Sequence, residues 1–462
     1  MVINLGDVEK WGGTSLATAE LDRKALEHSV NSFTNNSATL KMDYGIIVCS
    51  GSGKTDDTSE GRKATDHAID LVNGTNQENE WKILENIFKR NVNDHGLEQN
   101  ILDPLLNEAK TILDSGDFDS EAKAKIVGLP ERVKATIFYE LGKKSFPGLD
   151  FVLLDYDQNG IQGINSSGNT EVLVCHQETL QNIVNVAKSY KNKIIILPGF
   201  IGTKSRTNEM ITLERGMSDG TATYWGGALY LDEVRIFSDY NGISPVDPKI
   251  ISGLNSIDKC TYREAEAFAG LGAKIINDTA LKPARERGIP VKILKSFEPD
   301  KQGTTIRAVA NGKKNKFGVT AIANTADYTM ITVYNMPMLK TGVAAKVGDT
   351  FAKHSYNIET INDGDSCRTY AIFAKPNLGE LILDLKKQGH PVKDVNSFAR
   401  VTLVGEEINY KANLVFLETL NELCIKPKIF QFCDDSIIVD AFIREQYVHN
   451  VVTKLYNRLF EN

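Results

Sequence analysis

Through residue 300, short apolar runs of strand length alternate with longer stretches whose apolar positions recur at helical spacing. That alternation predicts an α/β fold with a largely parallel sheet and helices on both faces. Tyr44 to Ser50, Phe151 to Asp155, Ile194 to Leu197 and Val234 to Phe237 read as buried strands, and Lys193 to Gly202 as one extended run. Residues 77 to 142 have a different texture. They are charged, with Trp81, Ile83, Leu84, Ile87 and Phe88 at helical spacing, followed by Ile101, Leu105, Leu106 and Ile112. The spacing predicts a helical insertion with one apolar face; a separate binding module is the alternative.

After Gly303-Thr304-Thr305-Ile306 the character changes again, and the polar segment Ala310 to Lys316 reads as a linker or turn. Beyond it, two stretches repeat the order strand, helix, strand, strand. The first comprises Tyr328 to Val333, a helix around Val343 to His354, Asn357 to Ile361 and Cys367 to Phe373. The second comprises Ala399 to Gly405, a helix around Ala412 to Leu423, Ile425 to Gln431, Ser436 to Phe442 and a closing helix from Gln446 to Phe460. Each is a βαββ unit of ferredoxin-like type, a fold that by itself names no ligand.

At 462 residues the chain exceeds one ordinary core, so two or three domains are expected. A net charge of −7 gives no global attraction to nucleic acid or anionic membranes, so an anionic substrate must be drawn by local cations. No apolar run has the length of a membrane span, and acids stand early in the chain at Asp7 and Glu9 without a signal-type apolar core, which points to a cytoplasmic protein. The six cysteines are scattered with no Cys-x-x-Cys pair and read as reduced core thiols; no metal-binding residues are assigned.

Candidate chemistry begins at Lys10-Trp11-Gly12-Gly13-Thr14-Ser15, where a strand ends at a lysine and two glycines and two hydroxyls open a helix. Glycines admit backbone N–H groups close to a phosphate, and a helix start offers unpaired N–H groups and a positive dipole end. A plain loop satisfies the same residues. Thr212 to Ala222 has the same grammar, with Arg215, Gly216, Ser218 and Asp219 leading into the apolar helix Ala222 to Leu231. Two such strand ends roughly 200 residues apart imply a site assembled across one large sheet. The segment Ser50-Gly51-Ser52-Gly53-Lys54-Thr55 invites a P-loop reading but fails at its first glycine, where Val48 stands.

Together the two segments resemble the aspartate kinases of the amino-acid-kinase family, whose motifs read Lys-Phe-Gly-Gly-Thr-Ser and Gly-Arg-Gly-Gly-Ser-Asp. Here Trp11 replaces the phenylalanine, and Glu214 and Met217 replace two glycines. The paired C-terminal units resemble the ACT sensor modules that end many members. The resemblance implies a three-layer αβα kinase domain over residues 1–308, containing the helical insertion 77–142, then ACT units at 317–395 and 396–462. It also implies phosphoryl transfer from ATP, with Mg²⁺, to the side-chain carboxylate of L-aspartate. That nucleophile is already ionised at neutral pH, so positioning and charge neutralisation are the catalytic tasks.

By the same resemblance, Lys10 would sit on the transferring phosphoryl group and Asp219 would hold Lys10 or the metal in register. Gly12, Gly13, Thr14 and Ser15 would contact phosphate through backbone and hydroxyl groups. Ser50, Gly51, Thr65, Glu131, Phe200, Arg215 and Ser218 would form the aspartate pocket, with Arg215 clamping a carboxylate and Glu131 taking the ammonium; Thr55 is the rival of Thr65. Glu131 keeps the acid of the family's Ser-x-Gly-Glu motif without its serine and glycine, and a helix start explains Pro130 and Glu131 as well. On the nucleotide side stand Ser238, Asp239, Ser244, Lys249 and Lys274, and the turn from Ser296 to Pro299 resembles the one that closes the pocket. Lys249 replaces the family's arginine, Ser244 an aromatic residue, and Asn277-Asp278 the usual His-Pro.

The effector residues implied are Gly342, Val343, Ala344, Asn357, Ile358 and Glu359, with lysine or threonine as effector and a homodimer or larger assembly formed through the ACT units. A surface ion pair at a helix start is the plain reading of Arg215 and Asp219. A kinase acting on glutamate or N-acetylglutamate, or an amino-acid sensor whose kinase site has decayed, are the rivals for the chain as a whole.

Overall fold

The computed structural model describes residues 6–34, 42–51, 61–165, 172–271, 276, 279–309, 315–336, 342–364, 366–373, 378–433 and 436–461. The chain divides into two compact units, residues 1–243, 256–269 and 274–311, and residues 244–255, 270–273 and 312–462.

The first unit is built on an eight-stranded sheet in the order Lys259–Thr261, Thr304–Arg307, Val291–Lys295, Glu233–Ser238, Gly6–Trp11, Tyr44–Cys49, Ile194–Pro198 and Phe151–Leu153. All neighbouring pairs run parallel except Val291–Lys295 with Thr304–Arg307. Tyr44–Cys49, Ile194–Pro198 and Phe151–Leu153 are nearly continuous apolar runs because helices cover both faces, whereas Gly6–Trp11 and Glu233–Ser238 intersperse charged residues that pair with one another. On one face, Ala25, Leu26, Val30 and Phe33 of helix Ala19–Thr34 and Ala135, Phe138 and Leu141 of helix Leu129–Ser145 pack on Trp11, Ile47, Cys49, Ile194, Ile196 and Phe237. On the other lies helix Met217–Leu229, which is buried almost all round and carries glycines where it meets its neighbours. A Cβ at Gly226 would meet the Val234 side chain at 2.4 Å.

The helical segment expected over 77–142 resolves into Gln77–Asp94, Asp103–Ser115, Ser120–Val127 and Leu129–Ser145. With helix Ala64–Val72 they close their own apolar cluster around Leu71, Leu84, Phe88, Leu106 and Val133. Helix Leu129–Ser145 belongs to this cluster and to the sheet's core at once, so the insertion is continuous with the sheet's own packing.

The extended run Lys193 to Gly202 is two strands. Ile194–Pro198 belongs to the large sheet, whereas Ile201–Lys204 joins Met210–Thr212 and Gln162–Asn165 in a separate small sheet. The break falls at Gly199 and Phe200, where Phe200 adopts a left-handed backbone with φ +68°. Such a backbone costs a non-glycine residue on the order of 1 kcal/mol, and it turns the chain across the top of the sheet.

The second unit contains one continuous six-stranded antiparallel sheet, ordered Thr360–Asp363, Cys367–Phe373, Ala321–Tyr334, Val392–Val404, Ile438–Arg444 and Ile429–Phe432. Its two long central strands serve both βαββ patterns. The later half of Ala321–Tyr334 packs under helices Val343–Lys353 and Leu378–Lys387, while its first half belongs with Tyr410–Glu422 and Val448–Phe460. Between the halves the pairing shifts register near Asp327 and Ser397, which have φ of +66° and +61°. Helix Leu378–Lys387 does not figure in the repeat read from the sequence, and residues 395 and 396 lie inside one strand. All six cysteines are free thiols.

Candidate active site

Four strands of the large sheet, Gly6–Trp11, Tyr44–Cys49, Ile194–Pro198 and Glu233–Ser238, end side by side, and the loops that follow them carry most of the expected residues. A crevice outside the carboxyl ends of parallel strands, where connections leave in opposite directions, is where α/β sheets bind ligands.

Successive side chains on a strand face opposite ways, and this separates Lys10 from Trp11. Lys10 turns toward helix Met217–Leu229, where its ammonium lies 2.6 Å from Asp219 Oδ1 with both side chains nearly buried. Trp11 turns toward helix Ala19–Thr34, stacks on Phe237 at 3.9 Å between ring centroids and donates from Nε1 to Ser29 Oγ at 3.0 Å. The departure from the family's phenylalanine is therefore a change in the core, on the face away from Lys10.

The glycine turn is held tightly. The Gly12 N–H donates to the Phe237 carbonyl at 3.1 Å, and a Cβ on Gly13 would meet the Gly51 carbonyl oxygen at 2.5 Å. Gly12 thus shapes the turn with its amide already engaged. The short 3₁₀ turn Thr14–Leu16 follows, and the Ser15 hydroxyl bonds that of Ser296. Ser296 also binds the Ser238 carbonyl through its N–H and its hydroxyl, each at 2.9 Å. Ser15, Ser238 and Ser296 are thereby tied together beside the strand end, with Asp239 exposed next to them.

Across the turn, Ser50, Gly51, Glu131, Gly199 and Ser218 converge. Ser50 Oγ lies 3.4 Å from Ser218 Oγ, and Ser218 leans on Gly199 so closely that a Cβ there would meet it at 2.6 Å. Glu131 stands in the first turn of helix Leu129–Ser145 and presses its carboxyl on Gly51, where an added Cβ would meet Oε1 at 2.5 Å. The residue that starts the helix therefore also lies on the turn after Tyr44–Cys49. Burial pushes its carboxyl up to about 8, against hydrogen bonds from its own N–H and that of Gly51. Oε2 is buried without a hydrogen-bond partner. The neighbouring cations are engaged elsewhere, Arg132 with Asp155 and Glu108, and Lys134 with Asp22.

Arg215 is 72% exposed and pairs with Asp66 at 2.8 Å, beside Thr65 on helix Ala64–Val72. That contact sets helix Ala64–Val72, with Thr65 in its first turn, beside Arg215, whereas Thr55 lies outside the described residues. Gly216, with φ +90°, makes the turn into helix Met217–Leu229. Of the two replaced glycines, Met217 folds back over Gly220, where a Cβ would meet its terminal methyl at 2.3 Å, and Glu214 is half-buried. Phe200 sends its ring into an apolar cluster with Ala124, Ile201 and Met210, and its carbonyl accepts from the Leu213 N–H at 2.8 Å.

Ser244 and Lys249 belong to the second unit, where the Ser244 hydroxyl donates to the Val246 carbonyl at 2.6 Å and the Lys249 side chain is exposed. Lys274, Asn277 and Asp278 lie outside the described residues. Within the second unit, Gly342 caps helix Val343–Lys353 with φ +83°. Val343 and Ile358 lie against one apolar cluster, and Asn357 Nδ2 donates to Glu359 Oε1 at 2.6 Å; Ala344 is exposed. Among the described residues there is no group of His, Cys, Asp and Glu suited to a metal ion, and no helix is long and apolar enough to cross a membrane. The sequence reading singles out neither Lys134 nor Asp22; the available signal was an isolated charge on the apolar face of each helix.

A buried lysine and acid thus meet at the carboxyl end of the central strand Gly6–Trp11, between a glycine turn and a helix start. The chain matches the amino acid kinase family over residues 8–295 and belongs to that family. Among curated relatives, an aspartokinase of Corynebacterium efficiens is 23% identical over 98% of this chain and 95% of its own length. The lysine-sensitive aspartokinase 3 of Escherichia coli is 32% identical over 58% of this chain and 61% of its own length. Among solved structures, Clostridium acetobutylicum aspartate kinase superposes with a TM-score of 0.79 at 20% identity, covering 98% of this chain and all of that one. Escherichia coli aspartokinase III in complex with aspartate and ADP gives a TM-score of 0.77 at 20% identity, covering 98% of this chain and 99% of its own.

Proposed function

We propose that the chain is an aspartate kinase, moving the γ-phosphoryl of ATP to the side-chain carboxylate of L-aspartate to give 4-phospho-L-aspartate and ADP. The observation that carries this is the Lys10–Asp219 pair at 2.6 Å, in the same cluster of strand ends as the buried Glu131 carboxyl, whose Oε2 has no hydrogen-bond partner. ATP enters with its Mg²⁺ as the substrate complex. A carboxylate oxygen of aspartate attacks the γ-phosphorus while the bond to the β,γ-bridging oxygen breaks, and ADP leaves with that electron pair. The nucleophile is ionised already, so no general base is required.

The work falls to charge. Lys10 neutralises the anion meeting the triphosphate, and Asp219 fixes the ammonium's direction from the start of helix Met217–Leu229. Gly13, Thr14 and Ser15 line the phosphates, with Ser238 and Asp239 toward the nucleotide. Glu131, buried with no cation against it, takes the substrate ammonium, and Arg215 with Thr65 and Ser218 takes its carboxylate. An intact Lys10–Asp219 pair supports a working kinase over a decayed sensor.

The second unit, with its paired βαββ pattern, would act as an ACT sensor for an amino acid, lysine or threonine, at Gly342–Val343–Ala344 and Asn357–Ile358–Glu359, in a homodimer or larger assembly. The enzyme would then be a feedback-controlled first step toward lysine, threonine and methionine in the cytoplasm. A coupled ADP-release assay with MgATP and aspartate beside glutamate, with and without lysine and threonine, tests the reading. Aspartate-dependent turnover inhibited by one of the two amino acids is expected. Absence of turnover with excess aspartate overturns it.

A further inference from the structure

Helix Leu129–Ser145 delivers more than Glu131. One turn further along, Lys134 is 1% exposed, with its ammonium 2.7 Å from Asp22 Oδ2 and 3.2 Å from the Leu16 carbonyl. The imidazole Nε2 of His95 lies 2.8 Å from the same Asp22 oxygen, and Asp22 and His95 are also buried. The phosphoryl-transfer chemistry proposed above uses none of the three. Burying such a pair carries a desolvation cost that well-packed apolar side chains would avoid, so stability alone is a weak reason for its presence.

Its connections are specific. Leu16 closes the turn Thr14–Leu16 that follows Gly12 and Gly13, and Asp22 lies in the first turn of helix Ala19–Thr34. One ammonium therefore grips the turn and the helix that succeeds it. We propose that Lys134, fixed by Asp22 and His95, is a positioning residue that holds the glycine turn Gly12–Ser15 in its phosphate-binding trace. It ties that turn to the same helix that presents Glu131, three residues away, so that the nucleotide loop and the amino-acid carboxyl share one mount. The inference rests on the reading of the turn as the site for the phosphates of ATP.

The test compares wild type with Lys134→Met/Asp22→Asn, which removes both charges together and leaves an amide oxygen for His95. The dissociation constant for MgATP is measured by calorimetry without aspartate, alongside the KM for aspartate and the melting temperature. The expected result is a melting temperature near that of wild type, MgATP affinity weakened at least about tenfold, and an aspartate KM within about twofold. A stable double variant that binds MgATP as wild type does overturns the proposal. So does one in which both substrates weaken in proportion, the mark of general loosening. If the double variant does not fold, His95→Gln, which leaves the Lys134–Leu16 contact in place, reads the same split: weaker MgATP binding with an unchanged aspartate KM supports the proposal, and unchanged MgATP binding overturns it. A wild type that binds no MgATP overturns this inference together with the kinase reading. One that binds MgATP without phosphorylating aspartate removes the assigned substrate only, and the calorimetric and melting comparison still decides.

Discussion

Replacing Glu131 by Gln probes the electrostatics of the amino-acid pocket most directly. Burial holds this carboxyl at about 8 against an ordinary 4.5. Below pH 4.5 the folded and unfolded chains both keep the proton, between 4.5 and about 8 only the folded chain keeps it, and above about 8 neither does. The ligand-free protein should therefore lose stability as pH rises through that window. The gap of about 3.5, at about 1.4 kcal/mol per pH unit, comes to about 5 kcal/mol. Glu131→Gln abolishes this titration, so the variant should match wild type near pH 5 and exceed it at pH 8.

Substrate binding runs the other way. At pH 7 about a tenth of the Glu131 carboxyl is ionised, so an ammonium seated against it must displace close to one proton. Aspartate affinity should then rise about tenfold per pH unit up to about pH 8. In Glu131→Gln it should be weaker by at least about 30-fold at pH 8 and insensitive to pH. Urea unfolding of both proteins from about pH 5 to 8.5 reads the first effect. Calorimetry of aspartate in two buffers of different protonation enthalpy reads the second. Parallel stability profiles for the two proteins would refute the burial argument, and unchanged aspartate affinity in the variant would refute the assignment of Glu131 to the ammonium.

Lys10→Met should lower kcat by about 100-fold or more in the ADP-release assay, since it removes the cation held at the phosphoryl group; a variant above a tenth of wild-type kcat would sink the mechanism. Gly51→Ala brings a Cβ to 2.5 Å from the Glu131 carboxyl and should raise the aspartate KM about tenfold while leaving the ATP KM within about twofold. Arg215 is 72% exposed, so Arg215→Lys should change unfolding stability by less than about 0.5 kcal/mol yet raise the aspartate KM about tenfold through loss of the planar fork. Trp11→Phe loses the 3.0 Å bond to Ser29 and should lower stability by about 1 to 2 kcal/mol in urea unfolding, with kcat within about twofold. A collapse of activity there would put Trp11 in the site after all.

The large sheet was legible because strands such as Tyr44–Cys49 and Ile194–Pro198 are apolar on both faces and are bounded by glycine, proline and charged residues. Lys10, Gly13, Gly51 and Asp219 were legible for a related reason: glycine and charge at strand ends and at a helix start carry their chemistry in local spacing. The second unit was harder. The first half of Val392–Val404 carries Lys393, Asp394 and Asn396 and is largely exposed, so no alternation announces a strand; its pairing with Met330 to Val333 supplies the order. The run from Lys193 to Gly202 looked continuous because each half is apolar, and only the left-handed turn at Phe200 divides it between two sheets.

The sequence by itself determined the alternating α/β pattern, the two glycine- and charge-bearing strand ends and the paired C-terminal units, since each is written in residues close together along the chain. Tertiary structure alone decided that Glu131 meets Gly51, that Trp11 belongs to the core while Lys10 meets Asp219, and that Lys134 reaches Leu16 and Asp22. Those contacts join residues from 80 to more than 200 positions apart. Periodicity reports which face of an element is buried, and only the packing of one element on another determines which charge is left without a partner.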